Sequence, residues 1–210
     1  MRQKAFVIVL AVLIMTLSLV WYRGVAPGLQ PASQTDLLGT VWPDPRPLPE
    51  FQLSDHSGET FDRDRLRGQW TLMFFGYTSC PDICPTTMFT LRNVAAEMDK
   101  SGVTAPTVVL VTVDPQRDDA ANLARYVGNF NPDFFGVRGP DDELHVLTMQ
   151  IGAMYERDAA DEQGNYDVAH SASLFLVDPQ ARMHAVFSPP HKPADIAQKL
   201  TAIRLQYEQG

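Results

Sequence analysis

The chain has 210 residues with 25 acidic and 17 basic side chains, a formal net charge of −8, and two cysteines. The acidic balance argues against nucleic acid or anionic lipid as a partner. The length suits one domain with a real core, which needs no disulfide staple.

Residues 1–23 are expected to form a membrane anchor. Arg2 and Lys4 precede a run from Ala5 to Tyr22 that holds nothing more polar than Thr16 and Ser18 before Arg23. A helix of that length rises about 27 Å, close to the hydrocarbon thickness of a bilayer. Gly24-Val25-Ala26 has small residues suited to cleavage, but Pro27 would follow the cut, so an uncleaved single-pass helix is expected. Arg2, Lys4 and the amino terminus outweigh Arg23, which places the rest of the chain outside the cytoplasm, in a bacterial cell on the periplasmic side of the inner membrane. That remainder holds 14 basic against 25 acidic residues, a charge of −11. Such a charge is compatible with a basic protein partner, although solubility alone accounts for it.

Residues 24–49 are rich in Pro, Gly, Ser and Gln and are expected to be a tether, with Trp42-Pro43-Asp44-Pro45-Arg46-Pro47 unable to form a helix or a central strand. Residues 50–210 are then the folded domain. Phe51 to Phe61 alternates on either side of Ser57-Gly58, which predicts a hairpin. Asp64 to Gly68 is a short helical turn. Trp70 to Tyr77 reads as a buried strand, a helix follows from about Pro85 to Lys100, and Thr107 to Val113 is a β-branched run of the kind buried on both faces of a parallel sheet. This order is a βαβ unit with a right-handed crossover. A helix opened by Arg117-Asp118-Asp119, a short strand from Phe134 to Gly139, and a helix with Leu144, Leu147, Ile151 and Met154 on one face come next. Asp158 to Asp167 is an acidic loop. Strands at Ser173–Val177 and Met183–Phe187 flank a turn at Asp178-Pro179-Gln180, and Pro193 starts the last helix. The pattern is a thioredoxin-like α/β fold with an added N-terminal β-hairpin.

Both cysteines lie in Cys80-Pro81-Asp82-Ile83-Cys84-Pro85, between the buried strand and its helix. Pro85 fits a helix only in its first turn, which points to Cys84 as the N-cap with Cys80 in the loop before it. A helix N-terminus favours thiolate over thiol. By itself a Cys-x-x-x-Cys in an exported chain is equally a structural disulfide, a redox dithiol or a metal site. A span so short constrains little chain, so the staple is the weakest of the three. Asp114 ends a central strand where ligands bind open α/β sheets, and is as readily a turn former before Pro115. Asp82 is placed to cap the helix, to orient a cysteine or to face a partner. Met88, Met98, Met149 and Met154 read as core filler.

Phe75-Gly76-Tyr77-Thr78-Ser79-Cys80-Pro81-Asp82-Ile83-Cys84-Pro85-Thr86-Thr87 closely resembles the signature of the SCO/SenC family of copper chaperones. Val113-Asp114-Pro115-Gln116-Arg117-Asp118 and Tyr166-Asp167-Val168-Ala169-His170-Ser171, followed by Leu176-Val177-Asp178-Pro179, add to the likeness, which runs from Pro49 to Ile203. The resemblance implies a thioredoxin-like domain that binds copper through Cys80, Cys84 and a distal histidine, His170, while Asp82 and Asp114 are supporting candidates from their positions alone. It also implies a role in building the copper A centre of cytochrome c oxidase subunit II, or of another copper-site apoprotein, supplied by an upstream copper donor. Ser79 stands where the family often has His or Asn, and Ala169 where it often has Asp, which removes an acceptor for the histidine. Cu(I) suits two thiolates and an imidazole, whereas zinc would want four ligands. A Cu(II) site completed by Asp114 or water stays open. The competing reading is a thiol-disulfide oxidoreductase, in which Cys80 attacks a disulfide in the copper-site apoprotein and Cys84 resolves the mixed disulfide. His56, His145, His184 and His191 are expected to be structural or solvated.

Overall fold

Two strongly apolar runs beyond residue 40 form the middle of one sheet. In the computed structural model, which describes residues 14–16, 18 and 41–209, they are β4 (Thr71–Gly76) and β5 (Thr107–Thr112), paired in parallel from Thr71↔Thr107 to Gly76↔Thr112. Every residue of β4 is buried, as a strand covered on both faces requires. Around this pair lie β1 (Val41–Pro47), β2 (Gln52–Asp55), β3 (Thr60–Asp62), β6 (Phe135–Arg138), β9 (Leu174–Val177) and β10 (Arg182–Phe187), in the order β1-β10-β9-β4-β5-β6-β2-β3. β4, β5 and β6 run parallel, β9 is antiparallel to β4, and the β2–β3 hairpin adds to the far edge as anticipated.

Among the described residues from 41 onward the α-helices are α1 (Ile83–Lys100), α2 (Ala120–Gly128), α3 (Asp141–Ile151) and α4 (Pro193–Gln209). α1 buries Met88, Leu91, Val94 and Met98 and packs against α4, which turns in Ile196, Leu200 and Ile203. Asp119 caps α2 by accepting a 2.7 Å hydrogen bond from the N–H of Asn122.

Three departures from the sequence reading matter. Val41–Pro47, assigned to the tether, is an edge strand paired with β10, its register slipping between Val41 and Arg46. Three prolines are tolerated there because an edge strand can leave one row of backbone groups unpaired. Second, a small second sheet, β7 (Tyr155–Arg157) with β8 (Val168–His170), brackets the acidic loop as an antiparallel hairpin. Third, α3 stops at Gly152 in the left-handed conformation, so Met154 does not continue its buried face. Among the described residues no helix is long and apolar enough to cross a membrane. The anchor expected at 1–23 and the tether to residue 40 lie almost wholly outside the described residues.

Candidate metal centre

β4 delivers the chain to the site and α1 receives it. After Gly76 the backbone turns through Thr78 and Ser79, and helix α1 begins at Ile83, with Asp82 and not Cys84 at the N-cap position. Pro85 is still accommodated, because its missing N–H is one of those the first turn leaves unpaired and the carbonyl four residues back lies outside the helix. Asp82 is exposed and makes no side-chain capping bond.

The helix start, two residues earlier than expected, turns Cys84 inward. Its side chain is fully buried, and its sulfur accepts a 3.4 Å hydrogen bond from the N–H of Tyr77. Cys80, half-buried, accepts one of 3.4 Å from the N–H of Cys84. Both are free cysteines. Burial pushes the Cys84 thiol well above the ordinary cysteine range, opposed only in part by the Tyr77 N–H. Here desolvation outweighs the helix N-terminus, contrary to the expected lowering.

His170 ends β8 and faces the two sulfurs. Its Nε2 lies 3.4 Å from Cys84 Sγ and 3.8 Å from Cys80 Sγ. Nδ1 lies 3.2 Å from the carbonyl oxygen of Ser171, which can only accept, so Nδ1 carries the proton and Nε2 presents its lone pair to the sulfurs. The Ser171 carbonyl thus supplies the acceptor that Ala169 cannot. Phe74 and Tyr77 meet the imidazole edge-on, each with ring centroids at 5.8 Å, and hold its plane. Burial lowers the histidine below its usual range, favouring the neutral form that a metal requires.

The three ligand atoms lie within 4.8 Å of one another. Three bonds of about 2.2 Å at 120° would set their ends ~3.8 Å apart, so the cluster is sized for one ion in trigonal coordination. Among the described residues this is the group of Cys, His and carboxylate side chains so placed. Asp114 is not in it. Fully buried, it is ion-paired with Arg117 and accepts a 2.8 Å hydrogen bond from the hydroxyl of Tyr166.

Two supports escaped the sequence reading although they lie inside the quoted motifs. Asp118, buried at the end of the β5 loop, accepts from the Thr78 N–H at 3.0 Å, the Thr78 hydroxyl at 2.5 Å and the Thr112 hydroxyl at 2.6 Å. It ties the cysteine loop to the sheet. Arg117 stacks on Tyr166 at 3.8 Å and donates to its carbonyl at 2.9 Å, holding the loop that leads into β8. Arg157 fixes the same hairpin from below, donating to the Val113 carbonyl at 2.8 and 3.1 Å. Of the other histidines, His56 accepts from the Gly136 N–H at 2.9 Å, His184 lies 3.4 Å from Asp178, and His191 donates to the Ala172 carbonyl at 2.7 Å, all structural roles.

Residues 44–204 match the family described as SCO1/SenC. The chain belongs to the SCO1/SenC family. A Stutzerimonas stutzeri protein, named a candidate copper-binding protein, is 33% identical over 150 residues, 71% of this chain and 73% of its own. An SCO2-like protein of Rickettsia prowazekii is 36% identical over 133 residues, which are 63% of this chain and 64% of that protein. Among solved structures, copper-bound ScoI of Arabidopsis thaliana superposes with a TM-score of 0.71 at 27% identity, covering 76% of this chain and 99% of that one. Copper-bound ScoI of Bradyrhizobium japonicum does so with 0.64 at 29% identity, covering 77% and 98%. The Sco structures share the α/β architecture described above.

Proposed function

We propose that this SCO1/SenC protein is a copper chaperone that holds Cu(I) between the thiolates of Cys80 and Cys84 and Nε2 of His170. The observation that carries the reading is the convergence of two sulfurs and one imidazole nitrogen within 4.8 Å of one another, Nδ1 being engaged by the Ser171 carbonyl, with no further Cys, His or carboxylate joining the group among the described residues. A soft ion of low coordination number fits two thiolates and an imidazole, whereas a closed structural zinc site would need a fourth protein ligand that the described residues do not supply. Three ligands leave an open side, through which an acceptor's own ligands displace these one at a time. Copper is the cargo.

The finer reading is that the recipient is the copper A site of cytochrome c oxidase subunit II, and that residues 1–23 tether the domain to the bacterial inner membrane with its fold in the periplasm. Family membership supports the recipient, and the charge pattern of the first 23 residues supports the tether. Given a two-electron oxidant such as a partner disulfide, which is reduced to two thiols in exchange, the same cysteine pair would close a disulfide and so release the ion. The buried, proton-bearing Cys84 is a poor attacking thiol, so the cysteine available for exchange is Cys80.

Anaerobic titration of the reduced chain with Cu(I) tests this. One tightly bound ion is expected, with strong loss of affinity in Cys80→Ala, Cys84→Ala and His170→Ala. Unchanged binding in His170→Ala would refute the assignment.

A further inference from the structure

Met149 and Met154 are not core filler. They are 65% and 75% exposed, whereas Met88 and Met98 are fully buried as the sequence suggested. Exposed thioethers on a folded domain call for a reason, and these two line one groove of about 640 Å³ whose wall also includes His145 and His170. His145 and Met149, four residues apart on α3, share a helix face. Met154 is locked beside the metal centre through the backbone: its N–H donates to the Ser171 hydroxyl at 2.8 Å, the Ser171 N–H donates to its carbonyl at 2.8 Å, and Tyr155 pairs with His170 across β7 and β8. His170 is therefore the wall common to the groove and the centre.

The electrostatics suit a cation. Neither Lys nor Arg lines the groove, Glu156 does, and α3 ends there without a basic residue in its last turn, leaving its partial negative charge uncompensated. Two thioethers and an imidazole are soft, neutral donors of the kind Cu(I) accepts.

We propose that His145, Met149 and Met154 form a landing site that receives Cu(I) and passes it past His170 to the two cysteine sulfurs. The inference rests on the Cys80–Cys84–His170 centre being a Cu(I) site. Transfer is ligand exchange without change of oxidation state: the copper bonds to the Met149 and Met154 thioethers and the His145 imidazole break as bonds to the His170 imidazole and the two thiolates form, and thiol protons leave to solvent. The direction follows from charge, since thiolates hold a cation more strongly than neutral thioethers.

The test is anaerobic Cu(I) titration of the full chain against a competing chelator, with methionine methyl resonances followed in parallel. The expected result is two equivalents in the wild type, one tight and one weak. Cys80→Ser/Cys84→Ser should keep the weak equivalent alone, and adding Met149→Leu/Met154→Leu should remove it. The methyl signals of Met149 and Met154 should shift, with those of Met88 and Met98 as still references. If the cysteine variant folds poorly, wild type with its cysteine pair oxidised provides the same thiolate-free background. A tight equivalent without a weak one, or a weak one indifferent to both methionines, overturns the landing site and leaves the chaperone reading intact. A methionine-dependent weak equivalent without a tight one overturns the chaperone reading instead.

Discussion

A methyl group on Gly76 would meet the sulfur of Cys84 at 2.6 Å, closer than any real contact of that kind. Glycine here is what lets the first turn of α1 press its cysteine onto the end of β4. Gly76→Ala must push the sulfur or the strand aside, which should cost about 1–3 kcal/mol of stability. It should also spread the three ligand atoms. Denaturant melts and Cu(I) affinity should therefore both fall, and an affinity equal to wild type would show that Cys84 tolerates a different position.

Asp118 holds the cysteine loop without touching a ligand. Asp118→Ala leaves the Thr78 N–H and two hydroxyls without their acceptor, at about 1–3 kcal/mol for a group left unsatisfied. Because Thr78 sits two residues before Cys80, metal affinity should drop by ~10–100-fold, the usual size of an outer-shell effect. Asp118→Asn keeps one acceptor oxygen and should recover part of both losses. Equal affinity in all three chains would confine Asp118 to stability.

The Tyr166 latch separates its hydroxyl from its ring. Tyr166→Phe removes the hydrogen bond to buried Asp114 and should cost about 1 kcal/mol, while the stack on Arg117 remains. Tyr166→Ala loses the stack as well, a further ~0.5–1 kcal/mol. Amide exchange at Val168 to His170 should accelerate in that order. Exchange that stays at the wild-type rate in the alanine variant would show that β7 alone holds His170 in place.

The two ends of the centre respond to pH in opposite ways. Burial keeps the Cys84 thiol protonated at neutral pH, so metal binding must expel that proton, and affinity should rise with pH. His170 is already neutral there, its burial having lowered it below the ordinary value of about 6.5, so no break in affinity is expected near that pH. In the metal-free chain, an unfolded His170 takes its proton first as pH falls. Stability tied to this residue is thus complete above about 6.5 and drains as pH drops toward the folded value. Proton release measured during Cu(I) titration checks the first statement, and acid melts of wild type against His170→Ala check the second.

Much of the domain was legible because its signals are local. The β-branched run of β5, the alternation of β2 and β3 about Ser57-Gly58, and the apolar stripe of α4 each announce their element through period and turn chemistry. The strand at Val41–Pro47 was hidden by its prolines, since its pairing depends on a β10 edge well over a hundred residues away. Met154 was misplaced for a simpler reason: a helical period extends past Gly152 on paper, but left-handed backbone there ends the helix.

The sequence alone identified two cysteines at the head of a helix and, by resemblance, the histidine that joins them, because the chemistry of a site is written in residue types and spacing. Their separation, the tautomer of His170, and the direction in which Cys84 titrates were decided only by tertiary structure. Cys80 and His170 are 90 positions apart, and what brings them within 3.8 Å is a hairpin latched by Arg117, Tyr166 and Asp114. Desolvation, which raises the buried thiol, depends on every group packed around it and is a property of the fold, invisible in the six residues that carry the sulfurs.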